Sequence, residues 1–88
     1  MRKILLDMKH VSTPEEVQAY LAESFGFPEY YGMNLDALFD ELSVMDQDTC
    51  VGFYEDSCPR EINLYLEKVK HVLQDAEEEN PHLAVIWA

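Results

Sequence analysis

The sequence of 88 residues is long enough for one folded domain, residues 1–88, and its 48% hydrophobic content is that of a globular protein. Eighteen acidic residues against six Lys and Arg give a net charge of −12 at pH 7. This charge repels the phosphates of nucleic acids and of anionic membranes, which excludes both as partners, whereas it attracts a positively charged protein.

The first two predicted elements are a strand and a helix. Residues Arg2–Asp7 contain an unbroken Ile-Leu-Leu run, which predicts a strand buried on both faces of a sheet. Thr13 then predicts a helix N-cap, with Pro14 at the first helical position and Glu16 completing a capping box. The helix is expected to end near Gly26. Its apolar stripe consists of Val17, Tyr20, Leu21 and Phe25.

The middle of the chain predicts a loop, a helix and a strand. Pro28 and Gly32 break regular structure within a loop at 27–33. A second helix is expected over 34–45, with Asn34 as its N-cap, and a second strand over 49–55.

A long third helix is predicted next, with residues 56–59 as its cap. Its apolar positions recur at spacings of three and four and are Ile62, Leu66, Val69, Leu73 and Ala76. The acids 77–79 near its end are interpreted as plain solvated surface. After Asn80 and Pro81, residues 82–88 predict a third strand.

The order strand, helix, helix, strand, helix, strand predicts the fold class. Helix separates each strand from the next, so the strands are joined by right-handed crossovers rather than hairpins. We expect an α/β domain with a three-stranded parallel sheet flanked by helices.

No targeting segment or metal site is indicated. The apolar run after Lys3 is too short for a signal peptide, and no stretch approaches the ~18 apolar residues of a membrane span. We therefore expect a cytoplasmic protein in which Cys50 and Cys58 stay reduced. The three histidines have no ligand spacing with a cysteine, so no metal and no cofactor is expected.

The second helix is predicted to have two distinct faces. The face expected to pack against the core carries Leu35, Leu38 and Leu42. A separate stripe, expected to expose an aromatic ring between two carboxylates, consists of Asp36, Phe39, Asp40 and Ser43. Because Asp36 and Asp40 repel each other across one turn by roughly 0.2–0.5 kcal/mol, helix stability does not explain Asp40.

Two adjacent aromatic residues precede this helix. Tyr30 and Tyr31 stand between Glu29 and Gly32, and we expect one of the two rings to pack into the core. Exposed aromatic rings beside charges are typical of protein interfaces. The pattern favours an interaction face. An acidic surface without function and a catalytic pair of carboxylates are the alternatives.

The segment 28–40, PEYYGMNLDALFD, resembles the signature of the barstar family, intracellular inhibitors of small secreted ribonucleases of the barnase type. The order of strands and helices also fits, and residues 83–88 are similar to the family's last strand. The resemblance therefore covers the whole chain. It implies a single barstar-like domain that binds a basic ribonuclease one-to-one and has no catalytic activity.

The resemblance also implies roles for individual residues. Asp40 matches the aspartate that occupies the position of a substrate phosphate in the ribonuclease. Tyr30 matches the tyrosine that packs on the catalytic histidine, and Asp36 matches a second contacting acid. Gly32 and Asn34 match positions that approach the partner with backbone and amide groups.

Other positions depart from the family pattern. Phe39 replaces the usual tryptophan and loses its N–H donor, and Met33 stands where a polar residue is common. Ser43 lies in an altered stretch at the expected edge of the interface. Asp75 is the best match for an acid on the last helix, although it is shorter than the usual glutamate.

Two other functions are compatible with these residues. An acidic immunity or adaptor protein for a different basic toxin or nuclease would have the same charge. An enzyme using Asp36 and Asp40 as acid and base is disfavoured, because side chains one turn apart on a convex helix do not enclose a substrate.

Overall fold

The strands and helices follow one another along the chain in the predicted order. The computed structural model describes residues 1–55 and 60–87, so Cys58 and the predicted cap at 56–59 lie outside the described residues. Within these ranges the strands are β1 (Arg2–Asp7), β2 (Thr49–Tyr54) and β3 (Leu83–Trp87), and the α-helices are α1 (Pro14–Phe25), α2 (Leu35–Ser43) and α3 (Asn63–Glu79). Short 3-10 turns at Met8–His10 and Arg60–Ile62 follow β1 and precede α3. The predicted α/β class and parallel sheet are confirmed.

The sheet has the strand order β1-β2-β3, and both strand pairs are parallel. In register, Ile4 of β1 lies beside Val51 of β2, which lies beside Val85 of β3. Because the strand order follows the chain order, both right-handed crossovers pass over the same face of the sheet. The helices therefore cover one face only.

The two faces of the sheet differ in burial for this reason. Leu6 and Phe53 on the covered face are essentially buried, whereas Leu5 and Ile86 on the other face are 64% and 57% exposed. The prediction that the first strand is buried on both faces is wrong. The covered face shares one core with helix residues, among them Val17, Leu21, Leu38, Leu42, Leu66 and Leu73.

The ends of α1 match the sequence prediction. The Thr13 hydroxyl accepts a hydrogen bond from the Glu16 N–H at 3.1 Å, and the Glu16 carboxylate accepts one from the Thr13 N–H at 3.2 Å. The same carboxylate accepts the Ser12 N–H at 2.7 Å, and this bond is the main cause that lowers the pKa of Glu16. Gly26 ends the helix with a φ of 73°, a conformation that glycine adopts without strain.

The acidic run at the end of α3 is not uniform surface. Glu78 and Glu79 are exposed, but the half-buried Glu77 accepts a hydrogen bond from the Val85 N–H at 2.9 Å. Its carboxylate therefore satisfies a backbone donor on the outer edge of β3. The interpretation of all three acids as plain solvated surface is wrong for Glu77.

Helix α2 ends at Ser43, two residues before its predicted end, and a side chain distant in sequence binds carbonyl groups at and just beyond this end. The Asn80 amide donates to the Leu42 carbonyl at 2.8 Å and to the Met45 carbonyl at 2.9 Å. Asn80 is only 3% exposed, and its oxygen accepts the His82 N–H at 2.9 Å. Asn80 thus ties the end of α2 to the start of β3.

None of the helices in the described part of the chain combines the length and apolar character that a membrane crossing requires.

We predict that Asn80→Ala destabilises the protein by about 2–3 kcal/mol, because it leaves buried carbonyl groups without a donor. Urea unfolding monitored by circular dichroism measures this change. The matched control is Glu79→Ala, which removes an exposed neighbouring side chain and should change stability by less than about 0.5 kcal/mol. Equal unfolding midpoints for Asn80→Ala and the parent would contradict the prediction.

Candidate protein-binding site

The face of α2 that packs on the core is wider than predicted. Leu38 and Leu42 are fully buried, whereas Leu35 is only half-buried. Phe39 is also half-buried and packs against the core, so the prediction of an exposed aromatic ring between two carboxylates is wrong. Helix α2 packs against α3, and Phe39 lies against the core to which both helices contribute.

An open depression of about 370 Å³ lies between α2 and α3. It is lined by the apolar side chains of Leu35, Phe39 and Val72 and by the carboxylates of Asp36, Asp40 and Asp75. We call this depression the acidic groove. Asp36, Phe39 and Asp40 come from α2, whereas Val72 and Asp75 come from α3, so the groove exists only when the two helices pack.

The carboxylates of the acidic groove have no cationic partner in the part of the chain that the structure describes. Across residues 1–55 and 60–87, no Lys, Arg or His forms an ion pair with Asp36, Asp40 or Asp75. The described cations that form ion pairs do so elsewhere, as in the pair of Lys70 with Glu55 at 2.7 Å. Three like charges beside an apolar lining repel one another and favour a cationic partner.

The two adjacent tyrosines of the preceding loop point in opposite directions. Tyr31 is 7% exposed and Tyr30 is 83% exposed, which confirms that one of the two rings packs into the core. The Tyr31 ring lies 4.7 Å from the Phe27 ring, and the backbone N–H of Tyr31 donates to the Pro28 carbonyl at 3.0 Å. With Tyr31 held inside, the neighbouring Tyr30 presents its ring to solvent.

Asn34 and Gly32 lie directly before α2. The Asn34 side chain accepts the Ala37 N–H at 2.8 Å as the predicted N-cap, and it donates to the Gly32 carbonyl at 3.2 Å. A Cβ on Gly32 would lie 3.2 Å from the Ala37 Cβ and 3.3 Å from the Asn34 amide nitrogen. Glycine therefore keeps this cap intact. Whether either residue touches a partner stays a prediction.

A second depression of about 360 Å³ adjoins the acidic groove. It is lined by Met33, Asn34, Leu35, Asp36 and Tyr65. Leu35 and Asp36 line both depressions, so the two form a continuous surface along the first turn of α2.

The structure thus gathers some of the predicted site residues more closely than others. Asp36, Phe39, Asp40 and Asp75 share the acidic groove, and Asn34 lines the adjoining depression. Tyr30, Gly32 and Ser43 line neither of these two depressions. The Ser43 hydroxyl donates to the Phe39 carbonyl at 2.7 Å at the far end of α2.

Sequence reasoning missed several lining residues. The sequence pattern does not place Val72, Leu35 or Tyr65 at the site, although all three line one of the two depressions. Only one signal could have found Val72: it precedes Asp75 by three positions, the spacing that places two side chains on the same helix face.

Comparisons with known proteins identify the family of this chain. The family model described as "Barstar (barnase inhibitor)" matches residues 1–87. YrdF of Bacillus subtilis (strain 168), which is named as a candidate ribonuclease inhibitor, is 36% identical to this chain over 81 residues. That alignment covers 90% of this chain and 89% of YrdF.

Met33, the residue before the N-cap of α2, has a strained backbone conformation. Met33 has a φ of 57°, a left-handed conformation that costs most side chains about 1–2 kcal/mol and that Asn tolerates better. We expect Met33→Asn to stabilise the free protein by about 0.5–1 kcal/mol in chemical unfolding. Met33→Ala is the matched control, because alanine keeps the backbone strain and should bring no gain. A Met33→Asn variant no more stable than Met33→Ala would refute the argument.

Proposed function

Because this chain belongs to the barstar (barnase inhibitor) family, we propose that it inhibits a basic ribonuclease by closing the active site of that enzyme with its acidic groove. The family is one of inhibitors, and this member is not an enzyme. We propose in addition that the partner is a ribonuclease of the barnase type, that it binds one-to-one, and that the acidic groove makes the contact.

The observation that carries the proposal is the set of three carboxylates in the acidic groove, which form no ion pair within residues 1–55 and 60–87. A ribonuclease binds the phosphates of RNA with Lys and Arg side chains. Carboxylates make the same charge-assisted hydrogen bonds with these cations as phosphate oxygens do. The acidic groove can therefore occupy the site of the RNA backbone.

We assign the central role to Asp40. Its carboxylate lies on α2 beyond the first turn, where the helix dipole gives it little stabilisation, and it is exposed. Asp36 and Asp75 supply charge on the two sides of the groove. Half-buried Phe39 and Val72 exclude water from the contact, which strengthens the attraction between the carboxylates and the cations of the enzyme.

Residues outside the groove complete the proposed contact surface. The exposed ring of Tyr30 is available to stack on an aromatic or imidazole group of the enzyme. Gly32 and Asn34 precede α2 and Ser43 ends it, so they lie on either side of the α2 groove residues along the chain. Because α2 and α3 form the acidic groove together as a single surface, we expect it to bind one enzyme molecule.

The charge of the whole chain supports the same partner. No Lys or Arg occurs from His10 to Pro59, a segment that contains eleven Asp and Glu residues. A field of one sign steers a basic protein towards the acidic surface and raises the association rate. We place this inhibitor in the cytoplasm, where a free thiol such as that of Cys50 stays reduced.

We predict that the purified protein abolishes RNA cleavage by a barnase-type ribonuclease at a one-to-one molar ratio. Titration of the enzyme with the protein, with cleavage of a fluorogenic RNA as the readout, measures both inhibition and stoichiometry. Full cleavage at large molar excess over every barnase-type enzyme tried would refute the proposal. Binding to a basic toxin of another kind would instead support the immunity-protein alternative.

The second prediction separates the function of Asp40 from the fold. Asp40→Ala should leave the free protein equally stable, or more stable by a few tenths of a kcal/mol, because it relieves repulsion from Asp36. Binding should weaken by more than about 2 kcal/mol, the general scale of interface hot spots, for which members of the barstar family are standard examples. Most of this loss should be faster dissociation, since the cations of the enzyme stay desolvated and unpaired.

The matched control is Glu78→Ala, which removes one exposed carboxylate from α3 outside the groove. Glu77 is unsuitable as a control, because its carboxylate binds the Val85 N–H. Glu78→Ala should slow association slightly and leave dissociation unchanged. If Asp40→Ala unfolds much more easily while dissociating at the parental rate, Asp40 is a structural residue and the proposed role is wrong.

A further inference from the structure

One polar side chain of α1 lies inside the core. Gln18 is 1% exposed, on the helix face that also buries Val17 and Leu21. A buried amide must find partners for both its oxygen and its nitrogen or lose stability. Gln18 has both partners, and they belong to different parts of the chain.

The two partners are tyrosine hydroxyls. The Gln18 amide nitrogen donates to the Tyr65 hydroxyl oxygen of α3 at 2.7 Å. The Gln18 amide oxygen accepts a hydrogen bond from the Tyr31 hydroxyl of the loop before α2. These three residues form a chain of hydrogen bonds, which we call the buried polar chain. It joins α1, α3 and the loop.

The direction of these bonds follows from the orientation of the Gln18 amide, whose oxygen faces the Tyr31 hydroxyl and whose nitrogen faces the Tyr65 hydroxyl. Burial raises the pKa of the Tyr31 hydroxyl far above its ordinary value, and the nearby Tyr65 and Glu41 add to this effect. The hydroxyl therefore stays protonated and remains a donor to Gln18 at all physiological pH values. An amide with one oxygen acceptor and one nitrogen donor then accepts from Tyr31 and donates to Tyr65.

The buried polar chain also reaches the start of α2. The Tyr31 hydroxyl lies 3.5 Å from the carbonyl oxygen of Asn34, the N-cap residue. Residues 30–34, which carry Tyr30, Gly32 and Asn34, belong to no helix or strand of the described chain. Besides ring packing on Phe27, the hydrogen bond of the Tyr31 hydroxyl to Gln18 connects this segment to α1.

An apolar core would give similar stability at this position. Replacing hydrogen-bonded partners by apolar groups of the same shape can be nearly neutral, whereas a satisfied polar network selects one arrangement of its elements. The hydrogen bonds among these three side chains therefore contribute more to placing the loop than to the stability of the fold.

We infer that Gln18, Tyr31 and Tyr65 are positioning residues, whose hydrogen bonds hold residues 30–34 in the conformation that presents Tyr30 to the partner. Holding the loop in its bound conformation reduces the entropy lost on binding. The inference about binding rests on the proposed function, whereas the inference about loop order concerns the free protein alone.

The first experiment measures loop order in the free protein by amide hydrogen exchange. Tyr31→Phe removes one hydroxyl and keeps the ring, and Gln18→Leu removes the centre of the buried polar chain. Both variants should speed exchange of the Tyr31, Ala37 and Leu38 amides by about tenfold or more relative to β2 amides. These amides donate within the loop and the first turn of α2.

The matched control is Tyr20→Phe. It also removes a hydrogen-bonded tyrosine hydroxyl, which accepts the Asp7 N–H at 2.9 Å at the end of β1. It should leave the exchange of the loop amides relative to β2 unchanged. If Tyr31→Phe alters exchange no differently from Tyr20→Phe, the positioning role is refuted.

The second experiment measures dissociation from a barnase-type ribonuclease that the parent protein inhibits. Tyr31→Phe should speed dissociation by about tenfold in the parent background and by less than about twofold in a Tyr30→Ala background. A purely structural role for the Tyr31 hydroxyl would give the same factor in both backgrounds and would overturn the inference. If the parent inhibits no ribonuclease, the proposed function fails, and hydrogen exchange alone decides whether the buried polar chain orders the loop.

Discussion

The packing of α2 against α3 is the contact on which the candidate site depends. Asp36 and Asp40 are neighbours within α2, but Asp75 joins them only because α3 lies alongside. Bringing three like charges together on an exposed surface costs fractions of a kcal/mol per pair. Full burial of Leu38 and Leu42 contributes about 1.5–3 kcal/mol each, which exceeds that repulsion. The core can therefore hold an electrostatically unfavourable groove in place.

Helix α2 has only nine residues, and an isolated helix of this length is marginal in water. Its two ends are held by asparagine side chains. Asn34 caps the first turn, and Asn80 binds the Leu42 and Met45 carbonyls from beyond α3. Both caps are polar groups satisfied within the chain, so they stabilise the helix without using its exposed carboxylates. This leaves Asp36 and Asp40 available to a partner.

The loop before α2 is held in place by the burial of one of its two adjacent tyrosines. Tyr30 and Tyr31 are adjacent, yet one ring is exposed and the other buried. Burial of Tyr31 on Phe27, with the hydrogen bond to Gln18, fixes the direction of its neighbour. Rigid aromatic rings beside preset charges reduce the ordering that a partner must impose. The same few side chains therefore stabilise the fold and position the proposed binding surface.

The sequence by itself determined the number, order and type of the secondary-structure elements, because caps and apolar spacing are local. It also determined the acidic character of α2 and the family signature around Asp40. The tertiary structure decided which side chains face solvent. Leu5 is exposed because both crossovers cover the other face of the sheet, and Phe39 is half-buried because it lies against the core to which α2 and α3 contribute. The place of Asp75 in the groove and of Gln18 in the core depends on how helices distant in sequence pack, which no local pattern encodes.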